Sequence, residues 1–303
     1  MMKTILRKVF FLSFFFFVLF LFPVRAQELF PNHPLPQQPD TLRILAIGNS
    51  FSDDATEYLP GLLEAAGIHN VILGRLYIGG CTLERHCTEF ETQGHEYVYK
   101  KSVANEWETV KRYQEGSFMD GVGDEPWDII TLQQGSPKSG RWDSYDPWLA
   151  RLIEIVRQNC QNPDATIVWH QTWAYAHDYE SRNFANYTYN QELMYACIES
   201  CVEKLRRDYD IPVVIASGVA VQKMRKSGKV HTEREFTRDG FHMDYQYGRY
   251  LTACVWFETL IRPVFRVSVK GNTFRNQGTE NEITQKEARI LQKAAIQASG
   301  YWK

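Results

Sequence analysis

RILAIGNSFS, residues 43–52, is the stretch from which the fold can be read. Arg43–Ile47 is a short apolar run of the kind that makes a strand buried on both faces, and Gly48 ends it. Gly48-Asn49-Ser50 then turns the chain into an expected helix. A serine on such a turn projects its hydroxyl beyond the sheet edge, close to the positive end of the helix that follows, where a developing oxyanion is stabilised. Taken alone, the stretch also fits an ordinary turn with Ser52 or Asp53 capping the helix.

Further strands follow at α/β spacing. Val71–Ile78 ends at Gly79-Gly80, Asp128–Leu132 makes a third strand, Thr166–His170 a fourth and Pro212–Ser217 a fifth. Helical patterns lie at Tyr58–Ala66, Trp148–Asn159, Asn190–Tyr209, Tyr245–Leu260 and Thr284–Ser299. In Trp148–Asn159, for example, Leu149, Leu152, Ile153 and Val156 line one helix face. Five strands joined by crossover helices predict an open parallel sheet with functional loops at the strands' carboxyl ends. The expected fold is α/β: a flavodoxin-like three-layer αβα sandwich around a central five-stranded parallel sheet. Residues 81–127, charged and rich in Tyr and Trp, interrupt the rhythm as an insertion, expected to supply a lid or rim for substrate.

The N-terminus reads as an export signal. Lys3, Arg7 and Lys8 precede an apolar run from Val9 to Val24, and Val24-Arg25-Ala26 offers small residues for cleavage before Gln27. That run is at or below the roughly 17–25 residues a membrane-spanning helix needs, so no membrane anchor is expected after cleavage. The protein is therefore expected to be exported, periplasmic or secreted, from a bacterium. The anticipated division is residues 1–26 as signal peptide, 27–40 as a Pro-rich leader, and 41–303 as one domain. Loss of residues 1–26 lowers the Lys and Arg count from 34 to 30 against 36 acids. The resulting net charge of −6 argues against a nucleic-acid partner. Six cysteines (Cys81, Cys87, Cys160, Cys197, Cys201 and Cys254) leave pairing open, and Cys197 and Cys201 share a helix face. None forms a tight zinc-binding pair, and no glycine-rich phosphate loop occurs, so neither metal nor nucleotide cofactor is expected.

The second chemical signal is Asp239-Gly240-Phe241-His242. A serine hydroxyl needs a positioned base, and the base needs an orienting acceptor. Three residues of separation let a carboxylate curl back onto the imidazole. His170, at the end of the fourth strand, is the rival base.

Together, in this order, the two pieces resemble the SGNH/GDSL hydrolase superfamily, over about Arg43 to Leu260. The resemblance implies Ser50 as nucleophile, His242 as base and Asp239 as its partner, with Asn49 standing where the family usually has Asp. It implies an oxyanion hole made by the amides of Ser50 and Gly80 and by a side chain after the third strand. The family's Asn is missing there, and Leu132-Gln133-Gln134-Gly135-Ser136 stands in its place. Gln134 is the expected donor and Gln133 the alternative, since a Gln amide makes the same bond from one methylene further away. GNSFS with LQQxS resembles a branch of exported bacterial proteins in this superfamily. Gln133, Trp173 and Tyr175 are the expected substrate contacts, the two aromatics stacking on a sugar ring, bounding an acyl pocket or, equally, covering the sheet edge. The implied function is an esterase removing acyl groups, acetyl above all, from a small-molecule or glycan ester. A lipase or lysophospholipase, and a glycan-binding protein without turnover, are the alternatives.

Overall fold

The computed structural model describes residues 32–302. The expected signal peptide and the first residues of the leader lie outside them. A seven-stranded sheet runs in the order β4-β3-β2-β1-β5-β6-β7. Its parallel part comprises β1 (Leu42–Gly48), β2 (Val71–Tyr77), β5 (Ile129–Leu132), β6 (Thr166–His170) and β7 (Val214–Ile215). These are the five expected strands. The last is shortened because Ser217 already opens a helix.

Helices flank the sheet. The first seven are α1 (Ser50–Thr56), α2 (Leu59–Ala65), α3 (Leu83–Glu91), α4 (Phe118–Val122), α5 (Trp148–Asn159), α6 (Gln191–Tyr209) and α7 (Ser217–Ser227). Then α8 (Tyr247–Trp256) continues through a π-turn at Phe257–Ile261 into α9 (Arg262–Phe265), and α10 (Gln285–Ala298) closes the chain. One group packs α8 against α1, α7 and α10; another packs α5 against α3 and α4. The strands they cover are almost wholly apolar, as burial on both faces requires. Among the described residues, no helix is long and apolar enough to cross a membrane.

The insertion differs from its expected role. It extends the sheet, with β3 (Tyr97–Val103) antiparallel to β2 and β4 (Glu106–Gly116) antiparallel to β3. Tyr97 and Tyr99 are buried while Val98 and Lys100, between and beyond them, are only half-buried, an alternation that fits a strand. Arg75, buried in β2, anchors the outer edge: it pairs with Asp53 and Glu57, and Trp107 lies 3.6 Å over its guanidinium. The end of the Pro-rich leader is also ordered against the domain. Asn32 bonds both the amide and the carbonyl of Ile167, and Pro34 accepts from Thr166. All six cysteines are free thiols.

Candidate active site

Local chemistry places Ser50. Gly48 ends β1 where a Cβ would lie 2.5 Å from Ser52 Oγ and 2.9 Å from Gln133 Cδ, so the tight exit requires glycine. Asn49, rather than Ser52 or Asp53, caps α1. Its backbone is extended and its Oδ1 accepts from the Phe51 amide at 3.0 Å. Ser50 is the first helical residue, its amide among those a helix start leaves without an intrahelical acceptor. The same Asn49 donates from Nδ2 to the Cys81 carbonyl at 2.9 Å. It thereby ties the loop after β2 to the turn after β1. Gly80 in that loop is exposed and left-handed, with φ +63° and open space where a side chain would stand.

The base arrives on a narrow loop. Thr237 and Met243 pair across its neck, and Arg238 N donates to the His242 carbonyl. Asp239 Oδ1 accepts from the amides of Phe241 (3.2 Å) and His242 (2.8 Å), while its Oδ2 lies 2.6 Å from His242 Nδ1. Burial alone would raise the Asp239 pKa; the bonds from His242 and the two amides outweigh it and hold the carboxyl below its ordinary range. A carboxylate only accepts, so Nδ1 carries the proton and Nε2 is left as acceptor. Ser50 Oγ lies 2.8 Å from that Nε2. Ser50 and His242, 192 residues apart in the sequence, thus join Asp239 in one hydrogen-bonded chain.

Other site expectations are redirected. Gln134 is buried with its amide fully used: Nε2 donates to the Ser144 carbonyl and hydroxyl, and Oε1 accepts from Leu83 N and Gly135 N. It has no hydrogen left for an oxyanion. Gln133 is buried too, and links Asn49 Oδ1 (2.7 Å) to His170 Nδ1 (2.8 Å) behind the nucleophile. His170 ends that chain on Ser217 Oγ at 3.0 Å, and burial pushes its pKa down to about 3. It is a neutral structural histidine that does not touch Ser50. Trp173 stacks on Phe51 at 4.3 Å and donates to the Phe241 carbonyl; Tyr175 is bonded to Ser136. Both rings are fully buried, so neither presents a face to a sugar. They support the His242 loop from behind, as does the Ala176 amide, which donates to the Gly240 carbonyl at 2.7 Å. The double use of Asn49 escaped the sequence. An Asn immediately before a helix signals its cap, but nothing local signals its second bond.

A family model described as a domain of unknown function (DUF4886) matches residues 43–298. A crystal structure of a DUF4886 family protein from Bacteroides uniformis is 37% identical, with 86% of this chain covering 96% of that one at a TM-score of 0.77. An acetylxylan esterase from Geobacillus stearothermophilus is 12% identical over 74% of this chain and 96% of its own, TM-score 0.48. A GDSL-like lipase from Bacteroides thetaiotaomicron is 14% identical over 76% and 90%, TM-score 0.42. The last two likenesses carry nothing about chemistry here. No curated protein matches the chain.

Proposed function

The chain belongs to the DUF4886 family, and from that premise we propose that it is an SGNH-type serine ester hydrolase. The observation that carries the reading is the 2.8 Å contact of Ser50 Oγ with a His242 that Asp239 holds at 2.6 Å. In the reaction, His242 Nε2 takes the Ser50 proton as Oγ bonds to the ester carbonyl carbon. The oxyanion is met by two backbone donors, the amides of Ser50 and Gly80, neither of which donates to a backbone carbonyl among the described residues. Collapse breaks the bond to the alcohol, which leaves with the proton from His242. Water then attacks the acyl-enzyme with His242 again as base, releasing the acid and restoring Ser50. Asp239 keeps the imidazole in the productive tautomer and balances the imidazolium.

The substrate we favour is a short acyl ester, such as acetyl, on a carbohydrate. A groove of about 880 Å³ lies beside the His242 loop, lined by Asp178, Arg234, Arg238, Tyr245 and Glu280 among others. Ser50 and His242 themselves do not line it, so it bears on the alcohol side of the ester and not on the acyl group. Hydroxyl-bearing and charged walls suit a hydrophilic alcohol better than a lipid chain. This favours the glycan ester over the lipase. We further propose export, with cleavage before Gln27, which N-terminal sequencing of the secreted protein tests.

The decisive experiment uses purified protein with p-nitrophenyl acetate, butyrate and octanoate, beside Ser50→Ala and His242→Ala. The expected result is turnover that falls with acyl length and drops by about 10²–10⁴ without the base. Equal background rates in the wild type and both folded variants on all three esters would sink the hydrolase and favour a binding protein. Faster octanoate turnover would favour a lipase.

A further inference from the structure

One buried charge in this region has no part in the chemistry just described. Asp54 lies on α1 one helical turn beyond Ser50, so the two ride on one rigid segment about 6 Å apart along its axis. Its side chain is 1% exposed. Oδ2 accepts from the Met243 amide at 3.0 Å. Arg238 Nη1 reaches both carboxylate oxygens, at 3.0 and 3.1 Å, and also the Met243 carbonyl. From α8, Arg249 donates to Oδ1 through Nε at 2.9 Å and Nη2 at 2.7 Å. The Tyr245 ring covers both guanidiniums, 4.8 and 4.6 Å from their carbons.

Residues 238 and 243 are the two limbs of the loop whose tip is Asp239–His242. Both limbs are therefore fastened to one carboxylate, and that carboxylate belongs to the helix that presents the nucleophile. We propose that Asp54 is the positioning residue that registers the His242 loop over Ser50. Burial is the larger influence and raises the Asp54 pKa, the two arginines counter it only in part, and the clamp is held by the hydrogen bonds from Arg238, Arg249 and the Met243 amide. The kinetic part of this inference rests on the ester-hydrolase reading; the structural part does not.

Asp54→Asn is the test, because it keeps an oxygen for the Met243 amide while removing the charge that both arginines grip. A base displaced by about 1 Å costs on the order of 10²-fold in rate. The expected result is therefore a fall in kcat of about 10- to 100-fold on p-nitrophenyl acetate, with KM changed less than about threefold. In a His242→Ala background the same substitution is expected to cost no more than about twofold, since a residue acting through His242 has nothing left to position. Hydrogen exchange gives a readout free of catalysis: the His242 and Met243 amides should exchange faster in Asp54→Asn, while the amides of β1 and β5 do not. Should Asp54→Asn fail to fold, Arg238→Gln, which leaves the Asp54–Arg249 pair in place, is read the same way. Equal losses with and without His242, or an unchanged kcat and unchanged exchange at Met243, would overturn the clamp. Faster exchange at Met243 in a protein with no Ser50-dependent turnover would instead uphold the clamp and reject the hydrolase.

Discussion

Replacing Asn49 by Asp, the residue the SGNH/GDSL family usually carries before its serine, is expected to damage this protein. Asn49 Oδ1 accepts from Phe51 N and Gln133 Nε2, and an Asp oxygen preserves both bonds. The second oxygen of the introduced carboxylate would take the place of Nδ2, 2.9 Å from the Cys81 carbonyl, so a donor becomes an acceptor in a site only 1% exposed. The side chain can stay charged against that carbonyl, or it can protonate and donate as Asn does. Protonating a carboxyl of ordinary pKa about 3.9 at pH 7 costs about 4 kcal/mol, at about 1.36 kcal/mol per unit. The helix start favours the anion by about 0.3–1 kcal/mol and softens the first alternative. The net destabilisation at pH 7 is therefore about 2–4 kcal/mol, or roughly 4–8 °C in Tm for a domain of this size. Protonation in the folded state means that the folded variant binds more protons than the unfolded chain, so the deficit shrinks as pH falls toward 5. Since the Asn49–Cys81 bond also holds the Gly80 loop beside Ser50, kcat should fall by about 10²-fold, the scale of one lost oxyanion donor. Thermal unfolding at pH 7 and 5, with p-nitrophenyl acetate kinetics at pH 7, checks all three effects. An Asn49→Asp protein melting within about 1 °C of the parent and turning over at the parental rate would refute the reasoning.

Gln134→Leu removes four hydrogen bonds, two of them buried and two partly buried, and should lower stability by about 2–4 kcal/mol, seen in urea unfolding. The folded variant should keep kcat within a few-fold, not the loss of about 10²–10³ that follows removal of an oxyanion donor. Gly80→Ala meets no neighbour but forces a side chain onto φ +63°, costing about 1–2 kcal/mol. It should lower kcat, whereas Gly67→Ala, at φ +68° and equally open, should carry the same stability cost with activity intact. His86 and His170, both fully buried with pKa pushed down to about 3, protonate in the unfolded chain from about pH 6.5 but not in the fold. Stability should therefore fall as pH drops below about 6.5, by about 2 kcal/mol per histidine at pH 5. Urea titrations at pH 7 and 5 measure this, and His86→Gln should remove about half of the slope.

The sheet's centre was legible because its strands are buried on both faces, so RILAI and TIVWH read as apolar runs whatever surrounds them. β3 and β4 were not. As an outer pair they are less fully covered than the central strands, and they carry Lys100, Lys101, Glu108 and Lys111 at half-buried or exposed positions, which reads as a charged insertion. Their turn hides as well. Ala104 and Asn105 both adopt positive φ, as a two-residue hairpin demands, but without the glycine that normally marks one. Tyr97 and Tyr99, alternating with Val98 and Lys100, were the remaining signal, one short period within a polar stretch.

In the site, legibility follows how local each bond is. Asp239 and His242 are three apart, so their pairing is a property of one loop and can be read from the spacing. The direction of a glutamine side chain is not a local property. Gln133 is claimed by Asn49, 84 residues earlier, and by His170, 37 residues later, while Gln134 is claimed by Ser144. The same logic reassigns the aromatics. A Trp at a strand's carboxyl end can face substrate or core, and Trp173 faces the core because its indole nitrogen finds the Phe241 carbonyl and its ring finds Phe51. Those two partners flank His242 and Ser50, respectively, in the chain. The residues with no motif of their own therefore form the scaffold that brings the two motifs to 2.8 Å. For that reason, substitutions behind the site should register in kcat before they register in substrate binding.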